Sequence, residues 1–240
     1  MLPGAGREEA KPTNEIKTAI PLLDAIEIRG KTISADALLT QRELARYLVE
    51  ERGAHYHFTV KGNHKHLREE IAFYFAHGEH PPNCTTTDGD HGRLEIRKIW
   101  VTTELNDYLN FPHVGQAFML ERFTRDKKTG KERRELAYGL TSKPPALATA
   151  EQVLQDNRGH WTIENTCHYI IDWNYDEDRS RIRCGHGPEN VTRLRRFAVS
   201  IIKRKGVRNV AQKMRQLTMN TRLLFDYLRM TQNSCVAART

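Results

Sequence analysis

Residues 31–62 run KTISADALLTQRELARYLVEERGAHYHFTVKG, and the rhythm of that stretch decides the fold class. KTISADAL is a short segment that fits a buried strand, with Asp36 near its carboxyl end. TQRE follows, where Thr40 and Glu43 match a capping box. A helix is expected to open there, to carry Leu44, Tyr47 and Leu48 on one side, and to stop at Gly53. HYHFTVKG then alternates Tyr56, Phe58 and Val60 against His55, His57 and Thr59. That period of two predicts a second strand with its histidines on a solvent-facing side. A helix capped by Thr13 and carrying Ile16, Ile20, Leu23 and Ile26 precedes the pair. Another, carrying Leu67, Ile71 and Phe75, follows it. The order helix, strand, helix, strand, helix is that of an α/β sheet.

Further along the character changes. Pro81-Pro82-Asn83 and the TTTDGDHG tract read as a loop. LEIRKIWVTT, AFMLERFTR and RRELAYGLT read as strands, TRDKKTGKERR as a charged hairpin tip around a glycine, and Lys143-Pro144-Pro145 as the end of this β-rich segment. Four regions are expected: a disordered lead-in over 1–12, an α/β core over 13–80, a β-rich insertion over 81–145, and helices over 146–240.

The last region opens with a short helix from Ala148, a break at Arg158-Gly159, and then HWTIENTCHYIIDWNYDEDRSRIR over 160–183. Ile163, Cys167, Ile170 and Ile171 recur at helical spacing. His160, Glu164 and His168 share an adjoining face. A carboxylate bordering the core on a helix can hold a metal or move a proton. An ordinary amphipathic helix also keeps its boundary charges there. The H-E-x-x-H pattern of zinc hydrolases is absent, and H-x-H on a strand is a poor zinc signal. Trp161 and Trp173 are read as core aromatics.

What favours chemistry is Asp36, because ligands of α/β sheets gather at the carboxyl ends of strands. A pair of carboxylates, Asp36 and Glu164, suits hard cations such as Mg²⁺ or Mn²⁺. Two such ions can clamp a phosphodiester during in-line displacement.

The chain has 38 Lys and Arg against 30 Asp and Glu, a surplus of eight that favours an anionic partner such as nucleic acid. Arg179, Arg181 and Arg183 alternate as on an extended strand, facing either phosphates or the acids Asp172, Asp176, Glu177 and Asp178. A long helix follows, with Val191, Leu194, Phe197 and Ile201 turned inward and Arg193, Arg196, Lys203 and Arg204 on other faces. A last helix is expected near Val210 to Met230. Four scattered cysteines without a C-x-x-C pair argue against a disulfide framework or a zinc site. No apolar run nears the length of a membrane span and no signal-peptide pattern opens the chain, so a cytoplasmic location is expected.

Several of these segments are recognisable together. NEIKTAIPLL, ISADALLTQRELA, YHFTVKGNHKHL and HWTIENTCHYIIDWNYDEDRSRIR, with the Arg-rich helix behind them, resemble bacterial insertion-sequence transposases of the H-repeat-associated (ISAs-type) group. That group belongs to the DDE superfamily, and the likeness runs in the family's order over most of the chain. It implies an α/β, RNase-H-like core with a β-rich insertion and C-terminal helices. It also implies phosphoryl transfer on double-stranded DNA ends, two Mg²⁺ or Mn²⁺ ions, no membrane association, and a homo-oligomer on DNA. Asp36 would match the second catalytic Asp and Glu164 the closing Glu, both as metal ligands, with Arg179, Arg181, Arg183, Arg193, Arg196, Lys203 and Arg204 on DNA.

The family's first catalytic Asp lies upstream of the part matching NEIKTAIPLL, and MLPGAGREEA does not resemble that region. Asp24, on a helical pattern, is no substitute. The expectation is therefore the C-terminal part of a transposase, with the first core strands missing and an exposed edge at the Asp36 strand. Its two-metal site would be incomplete and the chain inactive alone. The alternative is a non-catalytic basic DNA-binding protein; a metal-dependent hydrolase of small substrates comes third.

Overall fold

The computed structural model describes residues 15–78, 80–89, 92–163, 169–177, 179–207 and 209–231. After α1 (Glu15–Asp24) come β1 (Thr32–Ala35) and β2 (His55–Val60), paired in parallel with Ser34 opposite His57. Parallel neighbours need a crossover, and α2 (Arg42–Arg46) supplies it, running on into a π-helical turn over Tyr47–Glu51. α3 (Lys65–His77) follows β2. The next four strands are β3 (Cys84–Asp88), β4 (Arg93–Thr102), β5 (Gln116–Asp126) and β6 (Glu132–Thr141), with β4, β5 and β6 each pairing antiparallel with the strand before. β6 then pairs antiparallel with β2, Leu140 opposite Phe58. One mixed six-stranded sheet results, in the order β1-β2-β6-β5-β4-β3, with β1 at an edge.

The alternation along β2 sorts its side chains between two cores. Tyr56, Phe58 and Val60 pack with Leu44 and Leu48 of the crossover, Leu67 and Ile71 of α3, and Ala117 and Leu140 of the neighbouring strands. Burying each of the larger side chains contributes about 1.5–3 kcal/mol. On the opposite face Val153 and Leu154 of α4 (Ala150–Ile163) pack on Ile99, Phe118 and Leu120. Gly139 is the residue that lets Phe118 lie across the sheet. A Cβ there would run into the Phe118 ring and come 2.5 Å from the Phe58 carbonyl oxygen.

Because α4 covers that second face, the histidine side of β2 does not face solvent as its alternation predicts. His57 is buried, stacked on Phe118 at 4.7 Å between ring centres. The TTTD segment, read as loop, is strand β3, hydrogen-bonded along β4. Thr40 is not a helix cap: Gln41 occupies that position, without a side-chain cap bond, and Thr40 is buried. Nor does Arg158-Gly159 break the chain, since α4 runs through both. A mid-helix glycine costs only about 1 kcal/mol against alanine, which packing offsets. Thr13 and the 1–12 lead-in lie outside the described residues.

Residues 161–240 group as a second compact unit. A π-helical turn at Ile170–Asn174 packs with α5 (Gly187–Arg204) and α6 (Val210–Met219) around Ile170, Ile171, Val199, Ile202 and Val210. The buried stripe of α5 is thus Val199 and Ile202, whereas Leu194 and Phe197, expected inward, are 66% and 64% exposed. Trp161 and Trp173, expected in the core, are also exposed. The single last helix is two, because Asn220 ends α6 and caps α7 (Thr221–Tyr227), its side chain accepting from Leu223 N–H at 3.0 Å. Arg181 and Arg183 sit in irregular chain after a turn at Arg179, not on a strand.

Candidate functional site

Asp36 stands immediately beyond the carboxyl end of β1, and its side chain is exposed. Oδ1 accepts from the backbone N–H of Leu38 (3.1 Å) and Leu39 (3.4 Å), which fixes the carboxylate's orientation. The turn beneath it is tied down twice. The Thr40 hydroxyl lies 2.8 Å from Thr59 O and 3.0 Å from Asp36 O, sharing one proton between the ends of the two parallel strands. Asn63 Nδ2 donates to Ala37 O at 2.5 Å. Thr40 and Asn63 are therefore supports that the sequence reading missed, although four-residue spacing from an acidic strand end was a signal for Thr40.

α4 leads toward the same place. Its Val153 and Leu154 lie on β4 and β5, Asn157 lies over β2, and His160 reaches β1. Asn157 Nδ2 is 3.4 Å from His57 Nε2, and His160 Nδ1 is 3.4 Å from Ser34 Oγ. The helix thus crosses the sheet diagonally, toward the strand that precedes Asp36. Lys143 Nζ anchors its middle turn through Asp156 at 3.0 Å. Burial lowers the His57 pKa to about 4, against a smaller upward pull from Asp156, so the ring is neutral at pH 7.

Glu164 and His168 lie outside the described residues, as does Asp178. Among the described residues no group of three or more His, Cys, Asp or Glu could hold a metal ion. Asp36 alone does not supply the donor set of a two-ion site.

Of the basic residues singled out, Arg179, Arg181, Arg183, Arg193, Arg196 and Arg204 are exposed and Lys203 is half-buried. Arg179 pairs with Asp176 (3.6 Å) and Arg193 with Glu189 (2.5 Å). Glu177 accepts from Thr192 and lies 4.0 Å from Arg195, so the acidic run serves neighbouring helix residues more than the arginine comb. Asp24 is held by Tyr47 (2.6 Å) and Arg52 (3.1 Å), which makes it a structural carboxylate. No helix of the described residues is long and apolar enough to cross a membrane.

The fold is thus a mixed α/β sheet with Asp36 pinned just beyond a parallel strand, and α4 crosses toward that strand. Residues 9–199 match the transposase DDE domain, and the chain belongs to that family. It is 29% identical over 232 residues to "Putative protein YbfL" of Escherichia coli K12, covering 91% of this chain and 60% of that protein. It is 28% identical over 230 residues to "H repeat-associated putative transposase YhhI" of the same strain, covering 90% and 59%. "Putative transposase YncI" of Escherichia coli O157:H7 gives 28% identity, 91% and 57%. The chain spans about three fifths of the length of these curated relatives.

Proposed function

We propose that this chain is the α/β part of a DNA transposase that transfers phosphoryl groups at the ends of a double-stranded element. In this reading 13–80 belong to an RNase-H-like core, 81–145 are an insertion within it, and 146–240 carry the second carboxylate and DNA-binding helices. Asp36 and Glu164 are the catalytic carboxylates, and Arg179, Arg181, Arg183, Arg193, Arg196, Lys203 and Arg204 hold backbone phosphates. The observation that carries the reading is the path of α4. His160 meets Ser34, two residues before Asp36, and Glu164 follows His160 by four residues in the sequence. Mg²⁺ or Mn²⁺ would supply the polarisation that phosphodiester displacement needs. The work is done where the DNA is, in the cytoplasm, and pairing two DNA ends calls for a homo-oligomer.

Mn²⁺ binding followed by electron paramagnetic resonance tests the shared site. Asp36→Asn and Glu164→Gln are each expected to weaken binding about tenfold or more, the ~1.4 kcal/mol scale of one lost charged ligand. If either variant binds Mn²⁺ as the wild type does, the two carboxylates do not share an ion. Duplex binding without any Mn²⁺ site would leave a DNA-binding protein in place of a transferase.

A further inference from the structure

We propose that the tip of the β5–β6 hairpin is a second duplex-DNA contact, gripping backbone phosphates through Lys127, Lys128 and Lys131. The proposal rests on the DNA-binding part of the function above and adds a surface on a different part of the chain from the C-terminal helices.

Between Arg122 and Glu135 seven basic side chains stand against three acidic ones, a surplus of four that is half the net charge of the whole chain. The arginines are largely spoken for. Arg125 pairs with Glu132 at 3.7 Å, Arg134 with Glu121 at 2.5 Å, and Arg122 and Arg133 both with Glu135. Those pairs absorb the acids of the paired strands, and among the described residues no ion pair takes up the lysines of the turn. Lys127 Nζ donates to the Gly89 carbonyl (2.9 Å), a neutral partner that leaves its charge intact, and all three lysines are exposed.

The turn that carries them is rigid. Asp126 Oδ1 accepts from Lys128 N–H (2.9 Å), Thr129 N–H (2.8 Å) and the Thr129 hydroxyl (3.0 Å). Asp126 N–H donates to Lys131 O, and Gly130 N–H to Asp126 O, each at 2.9 Å, with Gly130 at φ +67°. Lys127 N–H donates to Gly92 O (2.9 Å), lashing the tip to the start of β4. A charge cluster held in place this way loses little backbone freedom on binding.

The chemistry of the tip selects its partner. From Thr124 to Glu135 there is no apolar or aromatic side chain. A protein interface is built around such anchors, and a membrane surface site adds apolar side chains that enter the lipid. Phosphates need only cations and N–H donors, and contacts of that kind carry no sequence preference.

Fluorescence anisotropy with the full chain and a labelled duplex, between about 50 and 200 mM salt, provides the test. Substituting Lys127→Gln, Lys128→Gln and Lys131→Gln together leaves the Asp126 turn in place, so thermal unfolding should match wild type. The log-affinity against log-salt slope should shrink by about 2–3, at ~0.9 for each lost phosphate contact. Affinity at moderate salt should fall about tenfold or more, and the triple Lys→Arg variant should restore both. A Gln variant with the wild-type slope and affinity overturns the tip contact while leaving the helix-borne contact standing. A wild type whose duplex binding ignores salt overturns both. Binding of the wild type to phosphatidylserine vesicles as tight as to duplex, and lost with the same lysines, would overturn DNA as the partner.

Discussion

His57 shows how one buried side chain sets a pH limit on the protein. Its folded pKa is about 4, lowered chiefly by burial, whereas an unfolded histidine titrates near 6.5. The unfolded chain therefore takes up the proton first as the pH falls, and stability drops between those values. The contribution is fully present above pH ~6.5 and amounts to about 3 kcal/mol lost by pH ~4, on the order of 1.4 kcal/mol per pH unit. Urea unfolding at neutral pH and near pH 4.5 should show a smaller loss in His57→Gln than in wild type; equal losses would mean the ring titrates normally. Thr40 matters for a different reason, since its hydroxyl serves the carbonyl oxygens at the ends of both parallel strands. Thr40→Val keeps the shape and is expected to cost about 1–3 kcal/mol, the range for leaving a buried polar group unsatisfied. An unchanged urea midpoint would show that the strand ends are held by other bonds.

At the scale of elements, period was a good guide wherever apolar residues marked it. The parallel pair and the three long antiparallel strands are where alternation puts them, with ends within a residue or two except that the first strand, expected through Leu38, stops at Ala35. β3 was missed because CTTTD carries almost no apolar mark; it is an edge strand, recognisable only from its pairing with β4. α5 was legible as a helix but not as to which stripe it buries. Leu194 and Phe197 have the right spacing, yet the small core of that unit closes on Val199 and Ile202. Of the site, the place of Asp36 followed from the rule for strand ends, whereas the route of α4 depends on pairings between residues 100 or more positions apart. β6 supplies a sharp test of the sheet itself. Gly139→Ala would push a methyl group into the Phe118 ring and against the Phe58 carbonyl. Overpacking of this kind costs about 1–3 kcal/mol, and both neighbours are fixed parts of the sheet. A melting temperature equal to wild type would show that Phe118 has room to turn away.

At the scale of the molecule, the proposed DNA contacts fall on both units. Replacing Arg193, Arg196 and Lys203 by glutamine should flatten the salt dependence of duplex binding by up to about 2–3 in slope, at ~0.9 per phosphate contact. The same slope in variant and wild type would take the α5 residues off the DNA. The sheet adds a geometric term. Ala35, Phe58, Leu140 and Ala117 form one row across four strands, the row next to Asp36, and β5 runs on from Ala117 to the lysine-bearing turn. From Ala117 to Asp126 that is about 30 Å at ~3.3 Å per residue, a little short of the ~34–36 Å pitch of B-DNA. β5 is in that sense a ruler: with the tip seated on one stretch of backbone, Asp36 lies just under one turn of duplex away. Hydroxyl radicals generated from iron tethered at residue 36 should then cut about 9 base pairs from the footprint that the lysine substitutions erase.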